Sequence, residues 1–328
     1  MPGPVHHFVT YFDSHYAAKG VAMLESLLRR CPQARMTVLC FDDLTEKIVG
    51  HWFGGRVATL PRRDLEKAEP RLAPLRHERS LWEFYATHKA VVVRELLVRC
   101  GAGECLAYID ADTFFFSNPE PLFQEIASAS IALSPHRFAA EAAHMLAGAG
   151  PYNAGFGIWR NDDSGNRCLQ EWAGQCLDWC KREQTPDGRF MNQGYLRQWP
   201  ARYERTLELT HPGANLAPWN LGTHALTRRG RKVFVDGREL IFFHFSSMGR
   251  DAGGIWRTNK RSSKLADPEV VDGIFRPYLL AVEAASDRLQ KKYAIAGIDL
   301  THRHKKEHLP IGLGTVRRYG PFRWFAEK

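Results

Sequence analysis

The sequence predicts an α/β fold in which helices cover a mainly parallel central sheet. Residues 5–12 (VHHFVTYF) favour a strand, residues 16–32 carry apolar side chains at helical spacing, and residues 34–43 (ARMTVLCFDD) return to a strand pattern. A strand, a helix and a second strand in this order open a parallel α/β sheet. Residues 105–110 (CLAYID) are almost continuously apolar, as expected of a strand that is buried on both faces.

The rest of the chain continues this alternation. Further segments predict strands at 55–61, 130–137, 155–162 and 238–247, and helices at 80–101 and 167–183. From Pro268 onward the pattern becomes helical, and then basic and loop-like. We expect one two-part α/β domain over residues 1–265 and a C-terminal helical and basic, aromatic extension over residues 266–328.

Composition and charge limit the class of protein. With 328 residues and a net charge of +9, the chain can bury a sizeable core and favours an anionic partner such as a nucleotide, a phosphorylated lipid or an acidic membrane surface. The basic residues are not gathered in a recognisable nucleic-acid module, so no nucleic acid is expected. Seven scattered cysteines without a C-x-x-C pair indicate a reducing compartment rather than a zinc site. We expect a cytoplasmic protein whose contact with a membrane is at most peripheral, since no window reaches the length of a membrane span.

Asp110 and Asp112 stand at the end of the apolar strand, in the stretch LAYIDADTFFFSNP (residues 106–119). Open α/β sheets bind ligands beyond the carboxyl ends of their strands. Two carboxylates that converge there can hold a hard divalent cation and leave its other sites to water and phosphate oxygens. The alternative is a capping aspartate beside a solvated turn aspartate, but the end of a buried strand favours a metal site.

His244 is the candidate third ligand, in LIFFHFSSMGR (residues 240–250). A neutral imidazole at a neighbouring strand end is a common partner of two carboxylates at a metal. By itself, a histidine at the end of an apolar run is more often a satisfied core residue. Arg250 and the basic residues that follow it form either a diphosphate contact or a solvated surface loop.

Four segments in this order resemble the metal-dependent nucleotide-sugar glycosyltransferases of the GT-A fold, and most closely glycosyltransferase family 8. The segments YIDADTFF (108–115), YNAGFGIWRND (152–162), NQGYL (192–196) and HFSSMGR (244–250) are similar to its D-x-D, fNaG, DQ and late His-Gly-Lys segments. The match covers roughly residues 5–260. It implies a Rossmann-like, mainly parallel sheet flanked by helices, a catalytic domain over residues 1–265, and a basic C-terminal appendage outside the match.

The resemblance also implies a reaction and a set of site residues. The reaction is transfer of a sugar, with retention, from a nucleotide-diphosphate donor such as a UDP-sugar to a glycan or lipid-linked glycan, for example a surface polysaccharide or lipopolysaccharide. Asp110, Asp112 and His244 would bind Mn²⁺ or Mg²⁺ that bridges the donor diphosphate. The further donor contacts implied are Thr10, Tyr11, Asp13, Tyr16, Lys89, Ala111, Gly155 and Arg250. The sugar pocket and the catalytic groups would be Asn153, Asn192 and Gln193.

Two departures from the family pattern affect these expectations. Asn192 stands where the family has an acidic residue, which removes a negative charge from the sugar pocket. Arg250 replaces a lysine after a longer spacing from His244, which changes the geometry of the phosphate contact. If the enzyme inverted the anomeric configuration, it would need a carboxylate base, and the candidates are Asp162, Asp163 and Asp187.

Two further segments have open interpretations. The loop at 211–222 (HPGANLAPWNLG) either offers His211, Asn215, Trp219 and Asn220 to a sugar or is a rigid structural turn. The tail from residue 289, which mixes basic and aromatic residues, either docks on an anionic membrane surface or packs onto the domain.

Two other classes of function remain as alternatives. A nucleotidyltransferase acting on sugar phosphates also uses paired carboxylates, but it usually has a Gly-rich phosphate loop after the first strand, and residues 10–16 (TYFDSHY) contain none. A non-catalytic carbohydrate-binding protein would not need the two aspartates and the histidine.

Overall fold

The computed structural model describes residues 5–250, 256–258, 262, 264–265 and 267–293, and the backbone of residues 315–319 and 323–327. The side chain of Arg250 and residues 294–314 of the basic tail lie outside the described residues. The predictions made on them therefore stay predictions. None of the described helices is both long enough and apolar enough to cross a membrane.

Strands and helices alternate along the first half of the chain, as predicted. The strands are β1 (His7–Phe12), β2 (Arg35–Cys40), β3 (Val57–Pro61), β4 (Cys105–Ile109), β5 (Thr113–Phe115), β6 (Ile131–Pro135), β7 (Tyr152–Arg160), β8 (Thr206–Glu208), β9 (Leu226–Arg229), β10 (Lys232–Val235), β11 (Arg238–Glu239), β12 (Phe242–His244), β13 (Met248–Arg250), β14 (Trp256–Thr258), β15 (Thr315–Tyr319) and β16 (Arg323–Glu327). The helices are α1 (Ala17–Arg30), α2 (Asp43–Phe53), α3 (Arg62–Ala68), α4 (Leu75–Glu78), α5 (Leu81–Leu97), α6 (Glu120–Ile126), α7 (Leu146–Ala149), α8 (Asp163–Asp178), α9 (Trp199–Arg202), α10 (Pro268–Val270) and α11 (Arg276–Tyr293).

A seven-stranded sheet forms the centre of the molecule, in the order β3-β2-β1-β4-β7-β6-β8. The pairs β3–β2, β2–β1, β1–β4 and β6–β8 are parallel, whereas β7 runs antiparallel to both β4 and β6. The expected mainly parallel sheet is therefore confirmed, with one reversed strand next to its centre. The prediction that β4 is buried on both faces also holds, because Leu106, Ala107, Tyr108 and Ile109 are all at most 3% exposed.

Helices cover both faces of this sheet. On one face α1 packs against α11 and on the other α5 packs against α8. Alternate residues of β1 divide between two cores, since Phe8 and Phe12 join the core of α1 and Val9 joins the core of α5. Tyr278 and Leu279 of α11 belong to the first of these cores. The beginning of the predicted C-terminal extension thus packs against the sheet domain.

A small second sheet brings His244 to the edge of the large one. The chain turns after β4 and enters β5, which pairs antiparallel with β12 so that His244 lies opposite Thr113. The prediction of a single strand at 238–247 is wrong. This segment is divided into two strands, β11, which pairs with β10, and β12. Between these strands the chain bonds to a loop, where the Ile241 N–H donates to Gly213 O at 2.9 Å.

Candidate metal centre

Asp110, Asp112 and His244 come together at the carboxyl end of β4. His244 Nε2 lies 3.2 Å from Asp112 Oδ1 and 3.8 Å from Asp110 Oδ2. One ligand atom from each of the three residues lies within 4.8 Å of the others, and no second group of this kind occurs among the described residues. The structure therefore unites the three side chains predicted as metal ligands, from a turn (Asp110 and Asp112) and a strand end (His244).

The protein holds one oxygen of each carboxylate and leaves the other facing His244. Asp110 Oδ1 accepts hydrogen bonds from Lys89 Nζ at 2.8 Å and from the Tyr108 hydroxyl at 2.5 Å. Asp112 Oδ2 accepts from the Tyr16 hydroxyl at 3.0 Å. Such partners fix the direction of ligand atoms and tune their basicity. Asp110 Oδ2 and Asp112 Oδ1, the oxygens nearest the imidazole, are thus oriented toward a shared position.

The charges around Asp112 keep it ionised. Burial alone would raise the pKa of this carboxyl, but His244, the charge of Lys19 and the Tyr16 hydroxyl together hold the pKa below its usual range. Lys19 is itself only 7% exposed, and burial lowers the pKa of its ammonium group to about 8. Its Nζ donates to Met248 O at 2.6 Å and lies 4.3 Å from the centre of the Tyr16 ring.

A glycine lets the backbone of β7 approach the ligand side chains closely. A Cβ on Gly155 would lie 2.6 Å from His244 Cε1 and 2.8 Å from Asp110 Oδ2, closer than such atoms approach. The backbone of Gly155 also receives the Asp110 N–H at 2.8 Å, which ties β7 to the turn after β4. Two carboxylates and one imidazole whose facing atoms lie within 4.8 Å of one another fit a divalent cation such as Mn²⁺ or Mg²⁺.

Asn153 and Gln193 lie directly beside this centre. Gln193 Oε1 accepts from the Ala154 N–H at 3.0 Å, and Gln193 Nε2 donates to Ala149 O at 2.8 Å. Asn153 Oδ1 accepts from the Gly155 N–H at 3.0 Å. Asn192 is also buried, but its Nδ2 donates to Ala86 O of α5 at 2.9 Å. Gln193 thus positions the start of β7, while the side chain of Asn192 is bonded to helix α5.

The predicted nucleotide contacts line the end of β1. Thr10 is fully buried, and its Oγ1 has no hydrogen-bond partner among the described residues. Tyr11 is partly exposed, and its ring centre lies 5.9 Å from Lys89 Nζ. The Asp13 carboxylate accepts from the Tyr16 N–H at 3.0 Å and from the Tyr85 hydroxyl at 2.9 Å. Tyr11 therefore lies beside Lys89, and Asp13 is bonded to Tyr16. Lys89 and Tyr16 in turn bond to the two aspartates of the metal centre.

Two of the candidate bases are wrong. Because β7 is antiparallel to β4, Arg160 pairs with Cys105, and the residues after β7 lie at the opposite edge of the sheet from Asp110. Asp162 there caps α8 by accepting the Gly165 N–H at 2.9 Å, and Asp163 begins that helix. Asp187 is exposed and paired with Arg189 at 2.8 Å.

The loop at 211–222 is largely buried and reaches the metal centre. Asn215 Oδ1 lies 3.3 Å from His244 Nδ1, and the Trp219 ring packs edge-on against the His244 ring at 5.2 Å. Asn220 donates to Asn215 O at 3.2 Å and holds the loop's path. His211 lies away from the centre and accepts the Gly213 N–H at 3.1 Å.

Sequence analysis missed three side chains that shape the centre. Tyr108 stands two positions before Asp110, a spacing that places both on one side of a strand, so a strand-periodicity signal was present. Lys19 and Tyr85 have no such signal, because their roles depend on how α1 and α5 pack against the sheet.

Comparison with known proteins supports the fold and the family. No protein-family model matches the chain. The chain is 32% identical over 235 residues to the uncharacterized protein YfnF of Bacillus subtilis (strain 168), a match that covers 70% of this chain and 77% of YfnF. It is 25% identical over 293 residues to YfnD of the same strain, covering 88% of this chain and 92% of YfnD.

A solved structure has the same arrangement of strands and helices. The glycosyltransferase GlyE of Streptococcus pneumoniae TIGR4 superposes with a TM-score of 0.51 at 12% identity, over 89% of this chain and 64% of that of GlyE. This likeness concerns the fold, and it confirms the expected GT-A architecture with its mainly parallel sheet. With YfnF the likeness extends to the sequence over more than two thirds of both chains, and the protein belongs to the same family as YfnF.

Proposed function

We propose that this protein is a metal-dependent glycosyltransferase that moves a sugar from a nucleotide-diphosphate donor to a glycan or glycolipid acceptor. The observation that carries the proposal is the convergence of Asp110, Asp112 and His244 on one position at the ligand-binding edge of a GT-A sheet. Its support from sequence is the ordered set of four segments that resemble glycosyltransferase family 8.

The chemistry requires that negative charge on the leaving nucleotide diphosphate be neutralised while the anomeric C–O bond breaks. A divalent cation supplies that neutralisation as a Lewis acid when it is bound. Asp110, Asp112 and His244 would hold the cation, while Lys89 and Tyr16 keep the two carboxylates in place. Lys19 adds a buried positive charge near Asp112, with no carboxylate partner within ion-pair distance among the described residues.

The side chains next to this centre suit the sugar of the donor. Asn153 and Gln193 place carboxamides against the backbone of Gly155 and Ala154, next to the metal position. Neither a carboxamide nor a glycine can act as a general base. We therefore favour transfer with retention, in which the acceptor attacks from the face that the leaving group vacates, and the removal of Asp162 and Asp163 from the candidate bases supports this choice.

The finer parts of the proposal rest on the resemblance. They are a UDP-sugar as donor, Mn²⁺ as the preferred cation, a surface polysaccharide or lipopolysaccharide as acceptor, and work at the cytoplasmic face of a membrane. The net charge of +9 agrees with an anionic donor and an anionic surface.

The test is turnover of a panel of UDP-, GDP-, CDP- and dTDP-sugars by the purified chain with Mn²⁺, with Mg²⁺ and with chelator. We expect hydrolysis of at least one donor that stops when the metal is removed. NMR of the released sugar then gives the anomer, and an inverted product would contradict retention.

The two alternative functions predict different activities. A nucleotidyltransferase would release pyrophosphate from a nucleoside triphosphate and a sugar phosphate. A carbohydrate-binding protein would bind sugars without turnover. If no nucleotide sugar is hydrolysed and calorimetry shows no nucleotide binding, the glycosyltransferase proposal is wrong.

A further inference from the structure

A chain of buried amides connects His244 to the backbone of β7. Asn215 and Asn153 form it, and their side chains are 0% and 8% exposed. Asn215 Nδ2 lies 3.4 Å from Asn153 Oδ1, and Asn215 Oδ1 lies 3.3 Å from His244 Nδ1. Since the orientation of an amide and the tautomer of a histidine follow from their partners, the direction of the whole chain can be worked out from its fixed ends.

Backbone groups fix the orientation of Asn153 in two independent ways. The Gly155 N–H can only donate, so the Asn153 atom that lies 3.0 Å from it must be the oxygen. On the other side, Gln193 Oε1 accepts the Ala154 N–H, and Gln193 Nε2 donates to Ala149 O, so Gln193 presents its oxygen to Asn153. The Asn153 group that lies 3.3 Å from that oxygen must therefore be the NH₂. Both constraints give the same orientation.

The orientation of Asn153 then determines that of Asn215. Asn153 Oδ1 is an acceptor, so Asn215 must direct its NH₂ toward it. The opposite orientation would place two oxygens 3.4 Å apart in a buried site, where an unpaired polar group is expensive. Asn215 therefore presents its oxygen to His244, and His244 Nδ1 must carry the proton that this oxygen accepts.

We infer that Asn215 is a positioning residue that fixes His244 as the Nδ1–H tautomer, so that the lone pair of Nε2 faces the Asp110 and Asp112 oxygens. This inference rests on the metal site of the proposed function and concerns how that site is preorganised. A histidine that ligates a metal commonly donates its other ring N–H to a fixed acceptor, and losing such a partner typically weakens metal affinity about 10–100-fold. Here the acceptor is a carboxamide whose direction is set through Asn153 by the β7 backbone.

The backbone of Asn215 indicates which variants are informative. Its φ is 54°, in the left-handed region, where Asn, Asp and Gly are tolerated and most other residues are strained. Asn215→Gly removes the acceptor without backbone strain. Asn215→Asp keeps an oxygen for the His244 Nδ1–H, but it replaces the donor to Asn153 with a second oxygen, at a cost in the free energy of unfolding. Asn161→Ala is the control, because it removes an amide that donates to Cys100 O at 2.7 Å at the other edge of the sheet.

The first measurement is the Mn²⁺ affinity of the full-length chain. It is determined by titration, with electron paramagnetic resonance detecting the free Mn²⁺. We expect Asn215→Gly to weaken binding about 10–100-fold, Asn215→Asp to weaken it less than Asn215→Gly, and Asn161→Ala to stay within about threefold of wild type. Wild-type affinity in Asn215→Gly would overturn the inference.

The second measurement reads the tautomer without any activity assay. In ¹⁵N-labelled protein, long-range ¹H–¹⁵N correlations distinguish protonated from bare ring nitrogens, and comparison with His244→Gln assigns the signals. We expect Nδ1 to be protonated and Nε2 bare with Mg²⁺ bound, and Nδ1 to stay protonated in the metal-free protein. A bare Nδ1 in the wild type would overturn the inference. If the wild type binds no divalent cation, the proposed function fails, whereas the metal-free spectrum still decides the tautomer.

Discussion

Asp110 and Asp112 follow strand β4, and Asp162 and Asp163 follow its antiparallel neighbour β7, so the two acidic pairs lie at opposite edges of one sheet. Both pairs stand after an apolar strand, and in sequence they look alike. In the structure, Asp162 Oδ1 accepts the Gly165 N–H, and its Oδ2 accepts the Ser130 hydroxyl at 2.7 Å and lies 3.3 Å from Arg205. Both of its oxygens have partners.

In the pair at the other edge, one oxygen of each carboxylate faces His244 and accepts no other hydrogen bond among the described residues. Asp110 Oδ2 and Asp112 Oδ1 face His244 Nε2, while their second oxygens are bonded to Lys89, Tyr108 and Tyr16. The difference shows what separates a candidate metal site from a helix cap. A cap satisfies the carboxylate locally, whereas the metal centre is assembled from distant parts of the chain that each contribute one partner.

Asp112→Asn is expected to have the largest effect. It removes a charge and an oxygen from the metal centre, so several kcal/mol of charge stabilisation in the transition state is lost, and kcat/KM should fall at least about a hundredfold. The matched control is Asp162→Asn, which keeps the helix cap because Asn caps nearly as well as Asp. Steady-state kinetics on the donor found in the panel is the measurement. Equal losses in the two variants would mean that the edges do not differ in function.

Gly155→Ala tests whether the close approach of the β7 backbone to the ligand side chains is needed. The new Cβ would meet Asn153 Oδ1 and His244 Cε1 at 2.6 Å, so the neighbours must move, at a cost of about 1–3 kcal/mol in the free energy of unfolding. We expect Mn²⁺ affinity to fall about tenfold or more. Gly174→Ala is the control, since a Cβ there meets nothing within 4 Å and lies inside α8. It should stabilise the protein by up to about 1 kcal/mol in urea unfolding and leave Mn²⁺ affinity unchanged.

His211 tests the loop that delivers Asn215 to the metal centre. Burial, reinforced by Arg238 and Arg137 and opposed by Glu125, lowers the pKa of His211 to about 4. Its Nδ1 accepts the Gly213 N–H, so protonation of that nitrogen breaks the bond. The unfolded chain binds a proton near pH 6.5 and the folded one only near 4, so the free energy of unfolding should fall by roughly 2–3 kcal/mol as the pH drops through this window.

His211→Asn separates this effect from other titrations. An asparagine can still accept the N–H two residues on, but it does not titrate. Urea unfolding at about pH 7 and about pH 4.5 should therefore show a smaller loss in the variant than in wild type, by roughly 2 kcal/mol. The same loss in both proteins would show that His211 does not control the loop.

The comparison of the two edges also shows what could be predicted from the sequence. The parallel start of the sheet from β1 and β2 followed from apolar periodicity, and the meeting of Asp110 with His244 followed from the rule that strand ends share an edge. The direction of β7 did not, because an apolar strand has the same pattern whichever way it runs. This is why Asp162 was a candidate base before the fold was known.

Two neighbours of the metal ligands could not be assigned to them from the sequence, for a similar reason. Lys19 and Asn215 lie far from Asp112 and His244 along the chain, and only the packing of α1 and of the loop at 211–222 brings them near. The single late strand predicted at 238–247 failed where Ile241 bonds to Gly213 instead of continuing a ladder. Such contacts depend on tertiary structure, and the local pattern does not report them.

Asp162→Ala is expected to have the smallest effect on donor turnover and completes the comparison. It removes the N-cap of α8 and the acceptor of the buried Ser130 hydroxyl, which together should lower the free energy of unfolding by about 2 kcal/mol, with little added by the loss of the partly exposed pair with Arg205. Mn²⁺ affinity and the rate of donor turnover should stay at wild-type values, since the residue lies at the edge of the sheet away from Asp110. Urea unfolding and Mn²⁺ titration of the same sample provide both readings. A loss of turnover without a loss of stability would mean that Asp162 acts in the reaction, and would reopen the choice of a base.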